Sequence, residues 1–332
     1  MTTKAAILNA KFALGYEIGQ EFQDCQRQLS SLRAELKDVQ SEMGKLKESF
    51  LLHKILTANL ADFEEEIQYL RRQGRLCVYP YEQVKIMGPV QSGWDEALAL
   101  PYVLHKGKRL YFPSSWTVLQ AEERYRGYVE GESLLGGGYR KCAPHQYQVD
   151  GFRVQQGDVV LDVGAAEGLF ALDVLETASK IFIFECDPLW ADALKATFAP
   201  YADRVVLSGK KVAATLSDQE VTIESVLENE DLGAYYFMKM DIEGGEVDVV
   251  KSMLPLLGKM SNARLVCCTY HRQGDAEALE KLFAGIGYST HFSDGHMLFI
   301  YDELEYPFFR KGLIRARCGQ DVATRRGGAP SE

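Results

Sequence analysis

The sequence predicts an α/β protein built on a Rossmann-like, mostly parallel sheet and preceded by a long helical segment. Three observations predict this. Apolar strand-like runs alternate with helical patterns across residues 151–300, the rhythm of βαβ units. The first run, Val159-Val160-Leu161-Asp162-Val163, meets the turn Gly164-Ala165-Ala166-Glu167-Gly168 and then a helical pattern from Leu169. Residues 1–76 carry apolar positions at alternating steps of four and three, which is a heptad. The 332 residues suffice for one α/β domain of about 180 residues with accessory parts.

The helical segment comes first. Its stripe is Ile18, Phe22, Cys25, Leu29, Leu32, Leu36, Val39, Met43, Leu46 and Phe50, flanked by charges of both signs. The phase slips near Leu51–Leu56 and resumes as Leu56, Leu60, Phe63, Ile67 and Leu70. Such a slip marks a stammer, a kink or a helix–helix turn. A narrow stripe with charged flanks reads as a coiled coil joining subunits into a homo-oligomer; a helix or hairpin packed on its own domain is the alternative. Residues 1–76 are therefore expected to be a helical oligomerisation region.

Residues 77–150 change composition, with many Tyr, Pro, Gly and Trp and short β-like runs such as Lys108–Pro113. They read as a small α+β cap or lid that carries substrate contacts. Gly136-Gly137-Gly138 followed by Tyr139, Arg140 and His145 suggests a mobile loop over the sheet edge. Those three side chains are substrate candidates; a plain glycine hinge is the alternative.

Residues 151–318 form the expected catalytic domain. Its strands are read at 159–163, 180–185, 205–207, 236–240, 264–270, 288–292 and 296–301. The last two, joined by Ser293-Asp294-Gly295, read as a hairpin. Residues 302–318 carry Arg310, Lys311, Arg315 and Arg317 and read as a short basic helix. Residues 319–332 read as a disordered tail.

The glycine turn lets backbone N–H groups approach a ligand, since glycine has no Cβ to block it. Glu185 ends the next apolar run, and 185 − 164 = 21 residues separate it from Gly164. At that spacing a βαβ unit sets a carboxylate on ribose hydroxyls. A dinucleotide turn needs a middle glycine for the pyrophosphate. Here an alanine stands there, and Glu167 adds an anion. A nucleoside cofactor without phosphates fits better, and S-adenosylmethionine is one: a ribose for Glu185, an amino acid for the turn, and a sulfonium that favours nearby carboxylates. A βαβ turn without a ligand remains the alternative. A second landmark is Asp241-Ile242-Glu243-Gly244-Gly245-Glu246, directly after the run Tyr235–Met240. Three carboxylates in six residues at a strand's carboxyl end are costly unless they face water, a metal or a cationic ligand. Helix capping accounts for Glu246, less well for Asp241.

These two landmarks carry a resemblance. The chain resembles the FkbM family of S-adenosylmethionine-dependent O-methyltransferases at 157–168, at Phe184-Glu185-Cys186-Asp187-Pro188, at Leu216-Ser217-Asp218, at 222–227 and, most specifically, at Lys239-Met240-Asp241-Ile242-Glu243-Gly244-Gly245-Glu246. It covers roughly residues 130–315. It implies a seven-stranded methyltransferase sheet of five parallel strands and a terminal antiparallel hairpin, with a lid before the first strand. On that reading Gly164, Ala165 and Gly168 shape the methionine pocket, and Asp162 orients the loop or the cofactor's ammonium. Glu185, with Asp187 nearby, accepts from the ribose, and the segment around Val212 lies along the adenine. Asp241 ends the fourth strand and His271 the fifth, so both face one crevice as catalytic candidates, Asp241 also as a cofactor contact, with Arg272 beside them as a substrate candidate. His271 is either a general base or a hydrogen-bonded filler. Asp241, Glu243 and His271 also offer a ligand set for a divalent cation.

The acceptor is expected to be a hydroxyl of a sugar, glycan or secondary metabolite. A nucleotide-dependent oxidoreductase and a non-catalytic scaffold are the rival readings. The formal net charge of −10 disfavours a nucleic-acid substrate. Seven scattered cysteines without a C-x-x-C pair, no signal peptide and no long apolar span point to a reduced, cytoplasmic protein.

Overall fold

The computed structural model describes residues 2–300 and 304–318, with side chains from residue 20 onward except 21 and 24. The expected tail, 319–332, lies outside the described residues, as do Tyr301 and the side chain of Ile18. The chain divides into two units: residues 1–59 with 70–76, and residues 60–69 with 77–332.

In the first unit, α1 (Thr2–Thr57) is one continuous helix. It stops where the heptad phase slips; a short 3-10 turn and α2 (Glu64–Gln73) follow, of which only residues 70–73 belong to this unit. The slip thus marks a helix–helix turn. No helix among the described residues is long and apolar enough to cross a membrane.

The second unit opens with an antiparallel sheet of β1 (Ser92–Asp95), β2 (Leu100–His105) and β3 (Lys108–Tyr111), then α3 (Val118–Arg126). Thr117 and Gln120 close a reciprocal capping box on α3. The main fold runs β4 (Val159–Val163), α4 (Leu169–Val174), β5 (Lys180–Phe184), α5 (Ala191–Phe198), β6 (Val205–Ser208), β7 (Lys211–Val212), β8 (Glu220–Val221), α6 (Ile223–Val226), β9 (Tyr236–Met240), α7 (Glu246–Leu257), β10 (Ala263–Cys268), α8 (Asp275–Gly285), β11 (Tyr288–Phe292), β12 (His296–Met297), β13 (Arg310–Lys311) and β14 (Leu313–Cys318). Seven strands form one sheet in the order β11-β14-β10-β9-β4-β5-β6. β6, β5, β4, β9 and β10 are parallel, and β14 is antiparallel to both its neighbours. This is the Rossmann-like seven-stranded methyltransferase sheet.

Side chains alternate between two cores, because successive strand residues point to opposite faces. Val160, Ile183, Phe237 and Val266 join one core, which α4 fills with Leu169 and Leu172. Leu161, Phe182, Met238 and Leu265 join the other, beneath Val250 and Leu257 of α7. The chain winds from β4 outward to β5 and β6, then returns to β9 on the other side. The gap between the carboxyl ends of β4 and β9 is therefore the topological switch point, where such sheets bind ligands.

Two expectations are corrected. Residues 313–318 are a strand inserted between β10 and β11, not part of a basic helix. The alternation Leu313-Ile314-Arg315-Ala316-Arg317 has the period of a strand, and Arg315 turns inward to donate to the Gln146 carbonyl. The expected hairpin does not form either. After Gly295 the chain leaves the sheet, and β12 pairs with β13 instead of β11.

Candidate active site

Two turns meet at the switch point. Gly164 has φ +75°, and a methyl group on it would overlap the Asp241 carbonyl. Only glycine meets both the conformation and the contact. Asp241 N donates to Val163 O at 2.9 Å, while Gly164 N and Ala165 N both donate to Phe184 O. Gly168, with φ +85°, begins α4, and a methyl there would enter Phe198 and Leu194 of α5. It is the close approach of α4 to α5 that demands this glycine.

Glu185, half-buried at the end of β5, folds back over the first turn. Its Oε2 accepts from Ala166 N and its Oε1 from Asp187 N, each at 2.8 Å. Each oxygen keeps a lone pair for a further donor. Asp187 is exposed and caps the following 3-10 turn by accepting from Leu189 N at 2.9 Å. Val212 is buried, and beside it opens a cavity of about 510 Å³ lined by Lys211–Ala214 and by Gly245, Asp248 and Val249 of the second turn and α7.

Asp162 and Lys239 are register partners on β4 and β9. Their side chains form a buried ion pair, Nζ to Oδ1 at 3.1 Å, and Lys239 also donates to the Gly164 carbonyl. Burial lowers the Lys239 pKa, but the Asp162 and Asp241 carboxylates outweigh it and the net shift is upward. Asp162 thus holds the turn from beneath through Lys239. Glu167 is turned into the interior rather than toward the crevice. Its Oε1 accepts from Leu169 N at 3.3 Å, and burial pushes its carboxyl up to about 7. The expected pyrophosphate repulsion from Glu167 is therefore absent, and the alanine at 166 is what remains against a dinucleotide.

Asp241 sits at the centre of a polar cluster. Oδ2 accepts from Tyr147 OH at 2.9 Å and Oδ1 from Tyr270 OH at 3.3 Å. His145 Nε2 lies 3.6 Å and His271 Nε2 3.4 Å from its oxygens. Burial raises the carboxyl's pKa, yet His145, Lys239 and His271 together hold it far below the usual range. Asp241 is 18% exposed, against 3% for His145 and 4% for His271, so it is the member that reaches the crevice. His145 also meets Tyr79 OH at 3.1 Å and Tyr270 OH at 3.2 Å. Glu132 Oε2 lies 3.8 Å from its other ring nitrogen.

His271 is held between two anions. Its Nδ1 lies 2.9 Å from Glu246 Oε1, without hydrogen-bond alignment, and its Nε2 faces Asp241. Burial opposes the charged ring, but Glu246, Asp241 and Glu243 raise its pKa. Asp241, Glu246 and His271 converge as a donor group within 4.8 Å. Glu243 is exposed, 3.6 Å from His271. One ring nitrogen toward each carboxylate is the arrangement of a protonated imidazole bridging two anions. The same orientation serves a metal ligand, whose second ring nitrogen is commonly held by a carboxylate.

Tyr139 is buried, with its hydroxyl on the Gly131 carbonyl. Arg140 is exposed, 3.6 Å from Glu82. Arg272 lies over Gly244 of the second turn. The glycine run before Tyr139 is closely packed: a methyl on Gly138 would overlap the Glu130 carbonyl, and one on Gly136 would meet Gln146. Of these residues, then, only His145 joins the Asp241 cluster. Sequence reasoning missed Tyr79, Glu132, Tyr147 and Tyr270. Tyr147 and Tyr270 are near neighbours of His145 and His271 in the chain, Tyr147 in the segment read as a lid and Tyr270 in the run read as the fifth strand.

No protein-family model matches this sequence, and no curated protein does. Among solved structures, the chain is similar to a methyltransferase FkbM from Methylobacillus flagellatus KT, at 19% identity over 49% of this chain and 44% of that one, with a TM-score of 0.38. It is also similar to a precorrin-6y C5,15-methyltransferase from Geobacter metallireducens GS-15, at 16% identity over 50% of this chain and 83% of that one, TM-score 0.34. A third is an rRNA methylase from Streptococcus thermophilus, at 8% identity over 50% of this chain and 90% of that one, TM-score 0.32. The fold assignment itself rests on the strand order.

Proposed function

We propose that the protein is an S-adenosylmethionine-dependent methyltransferase that acts on a hydroxyl of a small molecule or glycan. The observation that carries this is Glu185, an anionic carboxylate fixed by two backbone N–H groups at the carboxyl end of β5, beside a turn that closes on Asp241. The carboxylate satisfies those two N–H groups and still has acceptor capacity left. Its free lone pairs match a pair of ribose hydroxyls, and the segment around Val212 stays the proposed adenine side. When bound, the cofactor supplies an activated methyl group on a sulfonium.

The chain's own residues orient the acceptor and manage its proton. Asp241 stays ionised through the neutral range and meets an incoming hydroxyl. His271, set between Glu246 and Asp241, which favour its charged form, fixes that carboxylate's position. His145, 3.6 Å behind Asp241 and 3.8 Å from Glu132, is the group placed to take the proton on from Asp241. Residues 77–150 contribute the acceptor side of the crevice through Glu132, His145 and Tyr147.

Calorimetric titration separates this reading from a nicotinamide enzyme. S-adenosylhomocysteine should bind and NAD should not. Glu185→Ala should weaken S-adenosylhomocysteine about 100-fold, since two hydrogen bonds to a charged group are lost. NAD binding without S-adenosylhomocysteine binding would overturn the assignment. Asp241→Asn should cut turnover about 100-fold or more while the S-adenosylhomocysteine affinity stays within a few-fold, read from methyl transfer to a glycan or phenol panel. Unchanged turnover would remove Asp241 from the chemistry.

A further inference from the structure

The seam of α1 is uncovered. Phe22, Leu29, Leu32, Leu36, Val39, Met43, Leu46 and Phe50 are each between 50% and 71% exposed. With Cys25 they occupy the two core positions of four successive heptads along about 44 Å of helix. Scattered exposed apolar residues are ordinary, but a continuous stripe of this length is an association surface. Leu76 N donates to Glu48 Oε1 at 3.1 Å. Glu48 stands on the helix face opposite the stripe, so the contact from residues 70–76 at that position leaves the seam bare.

We propose that this seam pairs with the same seam of a second copy of the chain, as a parallel, in-register coiled coil. The flanking charges choose the partner and its direction. Phe22, Leu29, Leu36, Met43 and Phe50 take the a positions, and Cys25, Leu32, Val39 and Leu46 the d positions. Before the a layer stand Gln28, Glu35 and Glu42; after the d layer stand Gln26, Arg33, Gln40 and Lys47. One flank is acidic or neutral and the other basic or neutral. In a parallel pair each g residue meets the e residue five positions on in its partner. Glu42 then meets Lys47, Gln28 meets Arg33, and Glu35 meets Gln40, each contact occurring twice. No like charges oppose. Antiparallel pairing sets each a residue opposite a d residue and like flanks together, so with Leu36 opposite Val39 the Glu35 of each copy would meet the Glu42 of the other. The helix therefore encodes a partner of its own sequence in its own direction, independently of the chemistry of the β4–β9 crevice.

Cys25 is exposed and lies in a d layer. In a parallel, in-register pair the two Cys25 residues face each other at the axis, within reach of a disulfide. In that antiparallel pair they lie about 38 Å apart. The test uses the full chain. Light scattering should give twice the chain mass, and mild oxidation should yield a covalent dimer on a non-reducing gel that Cys25→Ser abolishes. Glu42→Lys should raise the dimer dissociation constant about tenfold, and Glu42→Lys with Lys47→Glu should restore it. Both positions are exposed, so neither change burdens folding. A monomeric mass would overturn self-association. A dimer that Cys25 does not cross-link, or that Glu42→Lys leaves unchanged, would overturn the parallel register.

Discussion

Replacing Lys239 with methionine is expected to cost about 3–5 kcal/mol of stability, the penalty for stranding a buried charge. Asp162 would be left fully buried, with no cation on the neighbouring strand. The carbonyl of Gly164 would lose its donor as well. Thermal denaturation should shift down on the order of 10 °C in a domain of this size. The double variant Lys239→Met with Asp162→Asn should recover most of that loss, because no unpaired charge remains. If the single variant melted like the parent, the pair would not be the support of the glycine turn.

Replacing Glu167 with glutamine is expected to stabilise the protein, and only at high pH. The folded carboxyl is pushed up to about 7 from its ordinary 4.5, chiefly by burial. Below pH 4.5 the group is protonated in both states and no penalty arises. Between 4.5 and 7 the unfolded chain releases its proton while the folded chain keeps it, so stability falls as pH rises. Above 7 the penalty levels off at about 3 kcal/mol. Glutamine keeps the shape and the acceptor for Leu169 N but carries no charge. Urea unfolding free energies should therefore coincide near pH 4.5 and differ by about 3 kcal/mol at pH 8. Coincident free energies at pH 8 would show that the carboxylate finds compensation when ionised.

Much of the sheet was legible because its signal is local. A parallel strand buried on both faces reads as a continuous apolar run, and β4, β5 and β9 each do. Glu185 and Asp241 were legible for the same reason: each follows such a run directly. The last strand was hidden because Arg315, a buried cation, sits where an apolar residue was expected. Its burial depends on the Gln146 carbonyl, a contact between segments 169 residues apart. The Asp241 cluster was only half legible. Tyr79, Glu132 and His145 arrive from before the first strand of the main sheet, and no spacing rule links them to β9. Glu167 was misread because its turn residue count says nothing of direction, and the backbone there points the side chain inward. The heptad was legible, and its slip marked the end of α1.

The most direct test of the central claim is a crystal structure of the full chain with S-adenosylhomocysteine. The account predicts the adenosyl group at the carboxyl ends of β4 and β5, with both ribose hydroxyls within about 3 Å of the Glu185 carboxylate and the sulfur toward Asp241. Ligand density elsewhere, or a ribose that does not touch Glu185, would contradict it.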